Sequence, residues 1–150
     1  MAYSTIADLT RWIEEDELVR LCTIDPNATL QSGDVAAVCG EAIQNADARI
    51  DSFLLGRWPG LREYVPVPAE INRLSAMLAV YHLYLRKRAV SGDWRQSCED
   101  CIAALRAASR GELSLGLDES GAVAGSAGAA YRTDAVAEDR IYTAERLEKF

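Results

Sequence analysis

The chain has 150 residues, enough for one domain with a sizeable core. Hydrophobic residues make up 49% and charged residues 26% of it. That is an ordinary globular balance, with no apolar run near the ~18 residues of a membrane span. A net charge of −7 argues against a general nucleic-acid binder, which needs a cationic surface to displace counterions from phosphates. The opening "MAYSTIADLTRWIEEDE" has no basic segment followed by a long apolar core. It reads as no secretory signal, so the expected compartment is the cytoplasm of the cell that makes the chain.

In chain order, "YSTIADLTRWIEEDELVRLC" reads as helix, with Ser4 or Thr5 as its cap. Thr5 and Asp8 together resemble a capping box in which Asp replaces Glu. The acidic cluster Glu14 to Glu17 predicts a break into a second short helix, since carboxylates suit a helix N-terminus. "TIDPNATLQSGD" follows as a loop of turn residues. A long helix then begins near Asp34, its expected N-cap, and runs to Gly56. Its stripe is Val35, Val38, Cys39, Ala42, Ile43, Ala46, Ile50, Phe53 and Leu54. Glu41, Gln44, Asp47 and Asp51 are assigned to the solvated face, with Gly56 expected in a left-handed C′ conformation.

"GRWPGLREYVPVPAE" holds three of the four prolines and reads as an extended, ordered connector. The next helix spans about Ala69 to Ala89. Its main face is Ile71, Leu74, Leu78, Tyr81 and Leu85, widened by Met77, Val80, His82, Leu83 and Tyr84. A helix apolar nearly all round is expected at the centre of the fold. Asp93 is the expected cap of a last helix, Trp94 to about Arg110, with a stripe of Trp94, Cys98, Cys101, Ile102, Leu105 and Ala108 and with Gly111 as its C′ residue. Beyond it, "ELSLGLDESGAVAGSAGAAYRTDA" is Gly/Ala/Ser-rich, lacks a period and cannot form a core of its own. The expected architecture is mainly α: a compact bundle of about four helices over residues 1–118 and an extended, irregular C-terminal tail over residues 119–150.

Motifs for chemistry are sparse. "GAVAGSAG" lacks the Walker spacing and its lysine. A catalytic triad would have to use His82, which sits among apolar residues and suits a core or interface position better. "CEDC" puts Cys98 and Cys101 on one helical face, and a zinc site would need Cys22 and Cys39 brought to them. Otherwise the four cysteines are small buried apolar residues in a reducing compartment. Neither an enzyme nor a bound cofactor is expected.

Four segments, taken in order, resemble one family. They are "MAYSTIADL", "DARIDSFLLGRW", "VPVPAEINRLSAMLAVYHLY" and "ALRAASRGELSLGLD". Together they resemble the Mu gp36-like proteins of tailed bacteriophages and prophages over about residues 1–118. Trp58 stands where tyrosine is expected in that family. The resemblance implies a head–tail connector, or adaptor, in the virion neck: a ring, expected to be twelve-fold, below the portal protein. Its implied partners are the portal, neighbouring copies and a stopper or tail-terminator protein, with DNA passing through the lumen without specific binding and no membrane involved. Arg57, Trp58, Arg62 and Tyr64 are candidate interface residues, because arginine and aromatic side chains are enriched at interface anchors. Trp58 has a competing reading as a plug folded back onto the helices. Ile141, Tyr142, Leu147 and Phe150 are candidates in the tail, where ordering on a partner would add contact area at an entropic cost. The alternative to the phage reading is an oligomeric helical scaffold or regulatory protein without catalytic activity.

Overall fold

The computed structural model describes residues 2–117. The candidates Ile141, Tyr142, Leu147 and Phe150 lie outside the described residues. Five α-helices and one 3-10 turn follow in order: α1 (Ile6–Leu9), α2 (Glu15–Cys22), α3 (Gly33–Leu54), the turn Leu61–Glu63, α4 (Ala69–Arg86) and α5 (Gly92–Arg110). The expected mainly helical architecture is what is found, with the first predicted segment divided into α1 and α2 at the acidic cluster. The capping box at Thr5 is present: the Asp8 carboxylate accepts from both the Thr5 backbone N–H and its hydroxyl, each at 2.8 Å.

Helices α3, α4 and α5 pack on one another, and α1 and α2 lie across α3 and α4. Asp47 of α3 meets Ser75 early in α4, whereas Val38 and Ala42 share a groove with Leu85 and Arg86 at the end of α4. The two helices are therefore antiparallel. The pairing of Tyr84 with Trp94, and of Leu78 with Cys98 and Ile102 around a second groove, gives α4 and α5 the same relation. Helix α4 is central, as its all-round apolarity predicts: Ile71, Leu74, Ala76, Leu78, Ala79, Val80 and Leu83 are all buried. Its buried arc is turned away from Leu85, expected on the main face but half exposed.

Several boundaries differ from expectation for identifiable reasons. Ser32, not Asp34, precedes the first turn of α3, and Asp34 sits inside that turn near the helix dipole. Ser91, not Asp93, caps α5, its hydroxyl accepting from the Trp94 N–H. Gly56 does not take a left-handed conformation, which among the described glycines occurs only at Gly111 and Gly116. Helix α3 instead unwinds by a tightened turn in which the Arg57 and Trp58 amides both donate to the Leu54 carbonyl. The core also extends past the last helix. Leu115 and Leu117, expected in a segment without a core, are buried against the bundle.

Helix α4 stops at Arg86 rather than Ala89 because Arg88 turns into the left-handed region at φ 56°. The Arg88 amide donates to Leu85 and the Ala89 amide to Tyr84. Helix α5 ends the same way at Gly111, φ 80°, with the Gly111 amide donating to Ala108 and the Glu112 amide to Ala107. Both are Schellman closures, but only one has the residue that closure favours. The left-handed conformation costs an L-residue about 1–2 kcal/mol. Arg88→Gly is therefore expected to stabilise the protein by about 1 kcal/mol. Gly111→Ala should destabilise it by about 1–2 kcal/mol, and more if the Arg57 guanidinium, which lies 2.8–2.9 Å from where a Cβ would sit, is displaced. Urea denaturation of the two variants checks the opposite signs.

Candidate assembly surface

The N-terminal arm, Ala2 to Thr5, is held on the bundle by a buried polar network. Asp47 and Asp51 lie one turn apart on α3, and both are buried. The Asp47 carboxylate accepts from the Tyr3 backbone N–H at 3.0 Å and from the Ser75 hydroxyl at 2.6 Å. With its proton directed to Asp47, Ser75 is left to accept from the Ser4 hydroxyl at 2.7 Å. The Asp51 carboxylate accepts from the Tyr3 phenol at 2.5 Å and from Arg62 Nε at 2.9 Å, with Arg62 Nη2 on the same oxygen. Asn72 on α4 completes the clamp by donating to the Tyr3 carbonyl and to Asp8.

The placement of Asp47 and Asp51 on the solvated face is thus corrected. Ile43, Ala46, Asp47, Ile50, Asp51 and Leu54 recur at the three- and four-residue steps of one apolar stripe. The two aspartates interrupt that stripe rather than oppose it. Burial raises the Asp47 pKa, partly offset by its bonds from Ser75 and Tyr3. Burial and the Asp51 carboxylate hold the Tyr3 phenol far above its ordinary range, so it stays a neutral donor. Burial also acts on Asp8, but hydrogen bonds from Asn72 and Thr5 outweigh it and lower the carboxyl.

The loop after α3 carries the four connector candidates, and the structure separates them. Trp58 and Tyr64 are buried within the chain at 6% and 7% exposure. The loop folds both rings back onto the helices, as the plug reading of Trp58 expects, with Leu61 between them in sequence fully covered. Arg57 and Arg62 remain on the outside. The Arg57 guanidinium lies 5.3 Å from the centre of the Trp58 ring and covers Gly111, tying the tip of α3 to the end of α5. Arg62 is 61% exposed at its side chain while paired to the buried Asp51. Arg62 thus has one end in the clamp and one in solvent.

The cysteines divide into two places. Cys22 and Cys39 touch across α2 and α3, Sγ to Sγ 3.4 Å, and Cys98 and Cys101 lie on α5. Among the described residues no three His, Cys, Asp or Glu side chains gather as a metal site would require, so the four-cysteine zinc arrangement is not assembled. His82 is half-buried and lines two neighbouring grooves between α3 and α4, with its pKa lowered by burial and by Arg49. Large apolar side chains stand on the outside: Ile24 is 92% exposed and Val65 72%, joined by Leu85, Trp12 and Leu113. Among the described residues no helix is long and apolar enough to cross a membrane.

Removing the Tyr3 hydroxyl strands no charge but deletes a bond to a buried carboxylate. Tyr3→Phe is expected to cost about 2 kcal/mol, and Asp51→Ala more, because it leaves the buried phenol without its acceptor. Chemical denaturation measures both. A second expectation concerns Tyr84, whose hydroxyl donates to Glu17 and whose ring lies 5.4 Å from that of Trp94. Burial and Glu17 push this phenol up to about 12. The unfolded phenol ionises near 10, so above that pH the unfolded chain sheds a proton the folded chain keeps. Stability from this group is full below about pH 10 and falls as the pH rises towards 12. In Tyr84→Phe that alkaline slope should shrink in a thermal-melt series.

Residues 3–133 match the model of a protein family described as Bacteriophage Mu, Gp36. The chain is also 37% identical over 89 residues to the Mu-like prophage FluMu protein gp36 of Haemophilus influenzae (strain ATCC 51907 / DSM 11121 / KW20 / Rd). That alignment covers 59% of this chain and 60% of the relative, so the chain spans less than two thirds of the curated protein it matches.

Proposed function

The chain belongs to the Bacteriophage Mu Gp36 family, and from that membership we propose that it is a virion structural protein, a head–tail connector that forms a ring below the portal. In this reading it joins the DNA-filled head to the tail. It acts by binding and performs no catalysis. Its partners are the portal protein, neighbouring copies of itself and a stopper or tail-terminator protein, and its place is the virion neck after synthesis in the host cytoplasm.

The exposed apolar side chains carry the reading within the molecule. Among the described residues Ile24, Val65 and Leu85 are more than half exposed and Trp12 and Leu113 40% exposed, and a ring of copies with partners above and below would cover such apolar surface. A head-to-tail contact between unlike patches closes into a ring without self-complementary faces. The net charge of −7 supports the lumen role, because acidic walls do not retain the DNA that passes them. The tail, residues 120–150, is taken to dock on the portal or on a neighbouring subunit.

Electron microscopy of particles from a phage lacking this gene should show DNA-filled heads beside separate tails. Intact infectious virions would count against the connector. A chain ending at residue 119 is expected to retain its fold, with the melting transition kept, and to lose attachment to portal-bearing heads. Retained attachment would remove the tail from the docking surface.

A further inference from the structure

The contact between Cys22 and Cys39 is unused by the polar network and by the assembly reading. Cys22 is the last residue of α2, immediately before the loop to α3. Cys39 sits inside α3 and is fully buried. Their sulfurs lie 3.4 Å apart, across an interface between two helices rather than within one. A disulfide needs about 2.05 Å between sulfurs, so the approach still required is about 1.4 Å. The Arg86 guanidinium donates to the Cys22 carbonyl at 3.1 Å, which places a fixed cation at this end of α2.

We infer that Cys22 and Cys39 form a reversible oxidative cross-link, a modification site that fastens α2 to α3 when the protein meets a small-molecule disulfide. It holds whether or not the chain is a connector. Cys22 is the attacking group. It is 5% exposed at the last residue of a helix, where local fraying would reach it first, and the Cys39 hydrogen bond and Arg86 lower its pKa against the opposing effect of burial. Its thiolate attacks one sulfur of an oxidised glutathione-type disulfide, forming a mixed disulfide and releasing one thiolate, which takes up the Cys22 proton. Cys39 then attacks the Cys22 sulfur and expels the second thiolate, which takes up the Cys39 proton. Two protein thiols and one small disulfide become one protein disulfide and two small thiols, with two electrons passing to the small molecule. The hydrogen bond with Cys22, and then burial, raise the Cys39 thiol strongly, so Cys39 reacts second, once Cys22 is captured.

Cys98 and Cys101 provide an internal comparison. They share α5 at the same sequence spacing as many redox pairs, yet among the described residues no sulfur–sulfur contact joins them. Full-length protein is incubated with oxidised glutathione under native conditions, then read by intact mass, peptide mapping and thermal melting. The expected result is a loss of about 2 Da, a peptide pair joining Cys22 to Cys39, and a melting temperature higher by roughly 5–10 °C, from closing the loop between them. Dithiothreitol should reverse all three. Cys22→Ser and Cys39→Ser should each abolish the linked peptide, and Cys98→Ser should retain it. A link between Cys98 and Cys101, a glutathione adduct that persists on Cys22, or no reaction of the native protein would each overturn the proposal.

Discussion

Two carboxylates one turn apart on α3 hold the N-terminal arm in place, and the arrangement of the helices follows from how their charge is accommodated. A buried carboxylate is costly unless nearby donors replace the water it has lost. Asp47 receives a backbone amide and a serine hydroxyl, and Asp51 receives a phenol and an arginine fork. These donors come from the arm, from α4 and from the loop after α3, so meeting the electrostatic demand fixes three separate parts of the chain against one helix. Apolar packing alone would tolerate some sliding of α3 along α4. Asp47 favours one register, because a shift by a single turn would part it from Ser75 of α4.

The same constraint explains which sequence features were readable. Apolar periodicity marks α3, α4 and α5 clearly, since each presents a continuous stripe to its neighbours. Turn chemistry is equally legible between α2 and α3, where the Asp25 carboxylate accepts from the Asn27 amide and the Thr23 hydroxyl from the Asp25 amide. What periodicity cannot convey is that a charged residue inside a stripe has found a partner 44 or 48 residues away. Asp47 and Asp51 look solvated until Tyr3 is known to lie over them. Their spacing from Ile43, Ile50 and Leu54 was the available sign. Helix ends were less legible for a related reason: several residues near each end can cap, and the one chosen depends on tertiary fit. At Arg88 tertiary fit imposed a turn that the local residue disfavours.

The connector loop shows how one segment serves both fold and surface. Composition alone marked Arg57, Trp58, Arg62 and Tyr64 as a set, since arginines and aromatics favour both interfaces and loop cores. Folding sorts them by polarity. The rings turn inward and the guanidinium groups stay out, each resting on a buried partner: Trp58 beneath Arg57, and Asp51 beside Arg62. The cations are thereby held in defined positions instead of ranging freely on long side chains.

The segment after α5 has a mechanical consequence. Leu115 and Leu117 are buried, and residues 113–116 run beside Pro68, Ala69 and Glu70 at the start of α4. Tension applied to the chain beyond Leu117 therefore pulls first on two leucines seated in the core, and only afterwards on the turn at Gly111. Behind that turn stands Arg57, which spreads the load to the tip of α3. The bundle meets such a pull as an anchor bedded in its core, and a strain on the tail need not peel α5 away from its end.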